Sequence, residues 1–220
     1  MLSNHVKEQA AKFDQTISYQ LYSLGRKFTT KSRKYLKALE YSCHGIPWLL
    51  AMVILCYVSR SKLWIRLLIG LIFDVVYVAL SKAFFRRRRP TYSNQEDQMI
   101  MIGYDKLSFP SGHTSRAIYV ALFFSGYWYS LLIWTWALAV AASRVIYGRH
   151  FVGDILGGLV VGYWNYITQF SLFFPIHAML EFFLLNLIGD GGEDYWLSSD
   201  QLCWSHQSPS PLTSLIVHWK

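Results

Sequence analysis

The stretch Ser143-Arg144-Val145-Ile146-Tyr147-Gly148-Arg149-His150-Phe151-Val152-Gly153-Asp154 lies between two long apolar runs. His150 precedes Asp154 by four residues, so a helical segment here would place both side chains on one face. Arg144 lies six residues before His150. A histidine oriented by a carboxylate, with a fixed cation nearby, has the groups needed for nucleophilic attack on an anion. The same spacing also occurs in surface ion pairs, so its meaning depends on the rest of the chain.

The composition favours a multi-pass membrane protein. Hydrophobic residues make up 53% of the chain and charged residues only 15%, with nine Trp, fifteen Tyr and fourteen Phe. This suits apolar helices with aromatic belts at the membrane surfaces, and the alternative is a soluble protein with an unusually large core. The net charge of +8 is explained by membrane orientation and an anionic substrate. No basic stripe interleaved with aromatics lies outside the membrane flanks, so we expect no nucleic-acid partner.

The apolar runs predict an all-α membrane bundle of about six helices. Residues 43–188 would form this membrane-embedded domain, and residues 1–42 an amphipathic cytoplasmic segment that lies on the membrane surface or on the bundle. The polar first twenty residues predict no signal peptide. Residues 189–220 are predicted to be a disordered tail. The expected crossings are Cys43–Ser59, Leu63–Phe85, Ser115–Gly126, Leu131–Ile146, Phe151–Phe170 and Pro175–Ile188.

This order of crossings places the polar segments of interest on one membrane face. The segment after the second crossing, the start of the third, and the loop between the fourth and fifth all share that face with the N-terminus. Most Lys and Arg residues also fall there, while Arg60, Lys62 and Arg66 fall on the opposite face. The excess of positive charge predicts that this face is cytoplasmic.

A first motif on this face is Lys82-Ala-Phe-Phe-Arg-Arg-Arg-Arg89-Pro90. Lys82 and Arg89 are seven residues apart, which aligns them on one helix face where the second crossing ends. Pro90 disfavours helical geometry at the residue before it and ends the element. The three arginines between them, residues 86–88, are interpreted as basic anchors that flank the membrane.

A second motif, Phe109-Pro110-Ser111-Gly112-His113, opens the third crossing. Ser111 and Gly112 at a helix N-terminus can offer a hydroxyl and backbone N–H groups to an anion, assisted by the helix dipole. His113 follows at a position where it could give or take a proton. The alternative is that Ser111 is only a helix cap.

Together the three segments supply cations, an anion-binding turn, two histidines and one aspartate at one membrane face. These groups meet the demands of phosphoryl transfer, in which dispersed negative charge must be neutralised between a nucleophile and an acid.

The combination Lys-x6-Arg-Pro, Pro-Ser-Gly-His and Ser-Arg-x5-His-x3-Asp, in that order, resembles the three signatures of the type 2 phosphatidic acid phosphatase (lipid phosphate phosphatase) superfamily. The segments Tyr41–Trp48 and Ser108–His113 further resemble the polyisoprenoid (presqualene) diphosphate phosphatase branch. The resemblance implies a six-helix core over roughly residues 43 to 188 and an endoplasmic reticulum or nuclear envelope location. It implies a phosphatase acting on a lipid mono- or diphosphate.

The resemblance also implies roles for the motif residues. His150 would be the nucleophile that forms a phosphohistidine, Asp154 would hold its ring, and His113 would protonate the leaving group and then activate water. Neither a metal nor another cofactor would be needed, and a zinc site at the two histidines and Asp154 is disfavoured by the neighbouring cations. The phosphoryl oxygens would be bound by Lys82, Arg89, Ser111, Gly112 and Arg144.

Two other functions remain open at this point. One is a phosphatidate or sphingoid-phosphate phosphatase of the same fold, and the other is a catalytically silent membrane scaffold. The sequence predicts neither the lipid chain preference nor the oligomeric state.

Outside the motifs, Asp74 is expected to pair with Lys82 or Arg66, or to line a substrate groove. Asn165 is interpreted as an interhelical contact, and His44 as an isolated residue. Arg149 could contact the headgroup. The glycines at 153, 157, 158 and 162 form a small-residue stripe that predicts close helix packing.

Overall fold

The computed structural model describes residues 4–92, 107–169 and 174–188. Over these residues the chain is all-α, as the sequence predicts, apart from an isolated bridge between Arg88 and Leu107. The predicted tail, residues 189–220, lies outside the described residues, as do residues 93–106. The helices of the described part are α1 Asn4–Ser42, α2 Gly45–Ser59, α3 Lys62–Phe85, α4 Gly112–Phe123, α5 Ser130–Ile146, α6 Val152–Ile167 and α7 Phe174–Ile188.

Polar residues at the helix ends define these boundaries. The Ser61 hydroxyl caps α3 by accepting a hydrogen bond from the Leu63 N–H at 3.3 Å. α3 ends at Phe85 and is followed by Arg86, whose left-handed backbone (φ 48°) lets its N–H bond to the Lys82 carbonyl. The Ser111 hydroxyl caps α4 in the same way as Ser61 caps α3. These caps place Lys82 in the last turn of α3 and His113 in the first turn of α4.

Helix α4 is the centre of the bundle and packs against α3, α5 and α6. All but three of its residues are buried. Its approach to α6 is close because glycines face it. A Cβ on Gly158 would lie 2.7 Å from the Ser111 carbonyl oxygen, and one on Gly162 would lie 2.4 Å from that of Ser115. Two glycines of the predicted small-residue stripe, Gly158 and Gly162, therefore pack α6 against the helix that carries His113.

The outer surface of the bundle is apolar. Leu50 and Val58 on α2 and Leu80 on α3 are among many large hydrophobic side chains that face outward. By length and composition alone, α3 is the one described helix able to cross a membrane. Residues 34–42 of α1 together with α2 would make a second if this pair, bent by 48°, forms one span. A surface of this kind suits contact with lipid.

Helix α1 turns a polar stripe toward the bundle. Ser18 is fully buried against the start of α6, and Asp14 lies beside it. The apolar side chains of Val6, Phe13 and Leu24 are exposed instead. The sequence predicted that the apolar stripe of this segment lies either on the membrane surface or on the bundle. The exposure of these three side chains shows that they are not buried against the bundle.

Candidate active site

His150 lies in the short loop between α5 and α6 and is almost fully buried. Gly148, with φ 70°, lets the chain turn so that the N–H groups of Arg149 and His150 both bond to the Arg144 carbonyl, at 2.9 and 3.2 Å. Burial lowers the pKa of His150 from 6.5 to about 4, and the neighbouring Asp154 acts in the opposite direction. The imidazole is therefore neutral near pH 7, which is the form that can attack phosphorus.

Asp154 is fully buried and held on several sides. One carboxylate oxygen, Oδ2, lies 3.6 Å from His150 Nδ1. The same oxygen accepts from the Phe151 N–H at 2.8 Å and from the Ser108 hydroxyl. The other, Oδ1, accepts from Arg87 at 3.0 Å. The predicted His150–Asp154 pair is present, and the separation of 3.6 Å is longer than a hydrogen bond.

The predicted phosphate-binding cations lie within electrostatic range of the two histidines. Lys82 is buried in the last turn of α3, and the charges of Lys82 and Arg89 both act on His150. The buried Arg144 pairs with Glu40 of α1 at 3.0 Å. The Arg144 Nη2 atom is buried and has no hydrogen-bond partner within the described part of the chain. An anion in the site could supply that partner.

Ser111 and Gly112 lie at the junction of α4 and α6. The Ser111 N–H donates to the Asp154 carbonyl at 3.0 Å, and its hydroxyl oxygen accepts from the Thr114 hydroxyl at 3.0 Å. Ser111 is thus a helix cap, which was the alternative interpretation, although its own hydroxyl proton can still be donated. Gly112 follows at the first position of α4, where backbone N–H groups have no partner within the helix. An anion-binding role for both residues stays a prediction.

His113 is held through its backbone by the junction between α1 and α2. The Cys43 thiol contacts the His113 carbonyl oxygen at 3.2 Å, and Arg116 donates to the Cys43 carbonyl at 2.9 Å. His113 lies within electrostatic range of Arg144 and His150. Its Nε2 atom is buried and, among the described residues, lacks a hydrogen-bond partner. A histidine whose backbone is held in place, and whose Nε2 has no hydrogen-bond partner among the described residues, suits proton transfer to a substrate.

The expected partners of Asp74 were wrong. Its carboxylate accepts from the Ser115 hydroxyl at 2.5 Å and pairs with Arg116 at 3.5 Å, so it links α3 to α4 behind His113. Arg66 pairs instead with Glu181 of α7 at 3.0 Å. The expected interhelical contact of Asn165 is confirmed, because its side chain donates to the Gly70 carbonyl at 2.9 Å.

Several residues at the site were not identified from the sequence. Arg87, interpreted as a membrane anchor, reaches Asp154, and Ser108 bonds to the same carboxylate. Glu40 pairs with Arg144 and lies 4.0 Å from Arg149. His44, interpreted as isolated, lies with its ring 6.2 Å from that of His113. Of these residues, only Ser108 could have been identified from the sequence, because it lies beside the second motif. Arg87, Glu40 and His44 reach the site through tertiary contacts that the sequence does not indicate.

Within the residues that the structure describes, no group of three His, Cys, Asp or Glu side chains is placed to hold a metal ion. The independence from metals that the resemblance implies is a property of the reaction and stays a prediction.

Fold and site together define an all-helical bundle in which a buried His–Asp pair, a second histidine and several cations come together. The chain belongs to the PAP2 superfamily, whose family model matches residues 62–175. The matched region contains all three motifs, so the family named from the motifs is confirmed.

The chain is similar to several curated proteins. It is 35% identical over 125 residues to a probable lipid phosphate phosphatase beta of Arabidopsis thaliana, covering 43% of this chain and 58% of the relative. It is 36% identical over 104 residues to a lipid A 4'-phosphatase of Porphyromonas gingivalis, covering 44% of each. The chain thus spans about half the length of these curated relatives.

Two solved structures share the fold. The crystal structure of a transmembrane PAP2 type phosphatidylglycerolphosphate phosphatase from Bacillus subtilis matches with a TM-score of 0.56 and 19% identity, covering 79% of this chain and 89% of that one. The crystal structure of Aquifex aeolicus LpxE matches with a TM-score of 0.50 and 22% identity, covering 61% of this chain and 82% of that one. At these identities the likeness concerns the fold.

Proposed function

We propose that this protein is a membrane phosphatase that hydrolyses an isoprenoid diphosphate or monophosphate through a phosphohistidine, without a metal ion. The observation that carries the proposal is that His150 lies 3.6 Å from Asp154, and that the charges of Lys82 and Arg89 act on its ring. His113 in turn lies within electrostatic range of both His150 and Arg144. Phosphoryl transfer needs little beyond this set, because positioning and charge neutralisation provide most of the catalysis.

In the first step Nε2 of His150 attacks phosphorus, since Nδ1 faces Asp154. A nitrogen–phosphorus bond forms and the bond from phosphorus to the leaving oxygen breaks. His113, protonated in the substrate complex, gives a proton to that oxygen and becomes neutral, and the oxygen departs as the lipid alcohol or, from a diphosphate, as the lipid monophosphate. The positive charge that develops on the His150 ring is stabilised by the Asp154 carboxylate, 3.6 Å away.

In the second step water releases phosphate. His113 has lost its proton and now takes one from water, which attacks phosphorus from the side that the lipid has left. The nitrogen–phosphorus bond breaks and His150 returns to its neutral form. Lys82, Arg89 and Arg144 neutralise the phosphoryl oxygens in both steps, and the arginines can do so with two parallel hydrogen bonds.

The isoprenoid substrate is supported by the position of the segment that resembles that branch. Residues 41–48 lie against the proton donor, because Cys43 contacts the His113 carbonyl and the His44 ring lies beside the His113 ring. A second candidate is another lipid phosphate, since the relatives named above include a lipid phosphate phosphatase and a lipid A phosphatase.

The membrane location is part of the proposal. The apolar outer surface would face lipid, and the excess of basic residues in the flanks supports a site on the cytoplasmic face. The location in the endoplasmic reticulum or nuclear envelope is supported by the family resemblance.

The test is phosphate release by the purified full chain from a panel of prenyl diphosphates, prenyl monophosphates and phosphatidate, with and without a chelator. We expect faster release from the prenyl substrates, no effect of the chelator, and no release by His150→Ala. His5→Ala is the matched control, because His5 is exposed on α1.

The outcomes separate the alternatives. Equal rates on prenyl diphosphates and phosphatidate would remove the isoprenoid assignment, and a need for Mg²⁺ or Zn²⁺ would remove the mechanism. No release from any lipid phosphate would leave the scaffold as the surviving function.

A further inference from the structure

We propose that α1 is a working part of the active site, in which Asp14 acts through Arg87 as a positioning residue for Asp154 and His150. This inference rests on the proposed function. The family model begins at residue 62, so α1 lies outside the region that it matches.

Arg87 connects the two carboxylates. Its Nη1 donates to Asp154 Oδ1 at 3.0 Å, and its Nη2 donates to Asp14 Oδ2 at 2.6 Å. The guanidinium also lies over the Phe151 ring, 4.2 Å from its centre. A planar guanidinium with two separate N–H donors can bridge two carboxylates in fixed directions. Arg87 thereby holds Asp154 through Oδ1, while Oδ2 is the oxygen nearest His150.

The second oxygen of Asp14 holds the start of α6. Oδ1 accepts from the Gly153 N–H at 2.8 Å, and the Ser18 hydroxyl accepts from the Val152 N–H at 2.9 Å. These are first-turn N–H groups of the helix that carries Asp154, and they have no partner within that helix. The approach is close, since a Cβ on Gly153 would lie 2.7 Å from Asp14 Oδ2. One side chain of α1 thus fixes both the helix and the arginine.

The ion pairs are shielded enough to be effective. The side chain of Asp14 is 18% exposed, that of Arg87 is 28% exposed, and that of Asp154 is fully buried. Without the Asp14 charge, Arg87 would have one fixed partner and an open side toward solvent. The Asp154 carboxylate would then be less well oriented toward the His150 ring. Small misplacements of a catalytic group reduce turnover strongly.

The substitution Asp14→Asn separates the two roles of this residue. Asparagine keeps the oxygen that accepts from the Gly153 N–H and loses the charge that holds Arg87. We expect kcat to fall about tenfold or more, as for other groups that orient a catalytic residue, with KM within about twofold. Asp14→Glu should restore part of kcat. Ser18→Ala removes a contact to α6 and leaves the ion pair, so it should lower thermal stability with a smaller loss of kcat.

Glu8→Gln is the matched control, because Glu8 pairs with Lys12 on the exposed side of the same helix. It should leave kcat and KM unchanged. Unchanged kcat in Asp14→Asn, or a rise in KM alone, would overturn the positioning role. The same holds if Asp14→Asn and Ser18→Ala lose kcat in proportion to their loss of stability.

A double-mutant cycle with Arg87→Lys tests the route through the arginine. A lysine cannot bridge both carboxylates. If Asp14 acts through Arg87, the double variant should lose less activity than the product of the two single losses. If the two losses of activity multiply, the inference is overturned. Full activity of Arg87→Lys alone would also overturn it, and this single variant remains a test if Asp14→Asn fails to fold. A wild-type chain without activity on any lipid phosphate would refute the proposed function instead.

Discussion

Glu40→Gln is the sharpest test of how α1 supports the site. Glu40 lies 3.0 Å from Arg144, and their side chains are 12% and 2% exposed. Removing the charge of one partner leaves the other buried without compensation, which typically costs about 3–5 kcal/mol. Because glutamine keeps an oxygen that can accept a hydrogen bond, we expect a loss near the lower end, about 3 kcal/mol.

The loss can be measured by thermal unfolding followed by tryptophan fluorescence, since the chain has nine tryptophans. For a chain of this length, about 3 kcal/mol corresponds to a fall in Tm of roughly 6–12 °C. Glu8→Gln is the control, because its pair with Lys12 is 65–73% exposed and should contribute less than about 0.5 kcal/mol. If the two variants melt at the same temperature, the buried pair between Glu40 and Arg144 is refuted.

Three further predictions concern packing, pH and the network behind His113. Gly162→Ala would place a Cβ 2.4 Å from the Ser115 carbonyl oxygen, so we expect the free energy of unfolding to fall by about 1–3 kcal/mol and activity to fall with it. Val160→Ala, on the exposed side of the same helix, is the control and should change neither. Because burial lowers the pKa of His150 to about 4, the nucleophile stays mostly neutral down to about pH 5. We therefore expect kcat/KM, corrected for substrate ionisation, to stay constant down to that pH. A fall in kcat/KM with an apparent pKa near 6.5 would contradict this. Asp74→Asn removes the counter-charge of Arg116 and should cost about 1–3 kcal/mol by thermal melting, more than substitution of the exposed Asn186 by alanine.

The helices and the motif residues could be predicted because each leaves a local signal. Apolar runs predict α2 to α7, and the spacing of His150 and Asp154 predicts their contact. Glu40, Asp14 and Arg87 leave no such signal. A glutamate near the end of a basic segment and an arginine within a run of four look like solvated charges, and only the path of α1 past α5 and α6 brings them to the site.

The partner of Asp74 shows a related limit. Spacing along α3 favoured Lys82 or Arg66, because both lie on the same helix. The partner is Arg116 on the neighbouring helix α4. Which residue of a neighbouring helix faces Asp74 depends on how the helices pack, and the spacing of residues along α3 does not indicate this.

The central claim is that His150 carries the phosphoryl group, and trapping it is the most direct test. In a phosphate monoester whose leaving alcohol is a nitrophenol in place of the lipid alcohol, the leaving group needs little help from an acid in the first step. The variant His113→Ala should therefore form the phosphohistidine and hydrolyse it slowly, because the second step still needs a base. The protein is denatured at alkaline pH, where phosphohistidine survives, and digested for mass spectrometry. We expect a phosphoryl group on His150 in His113→Ala and none in a variant that also carries His150→Ala. Nitrophenol release by His113→Ala with no phosphoryl group on His150 would contradict the account.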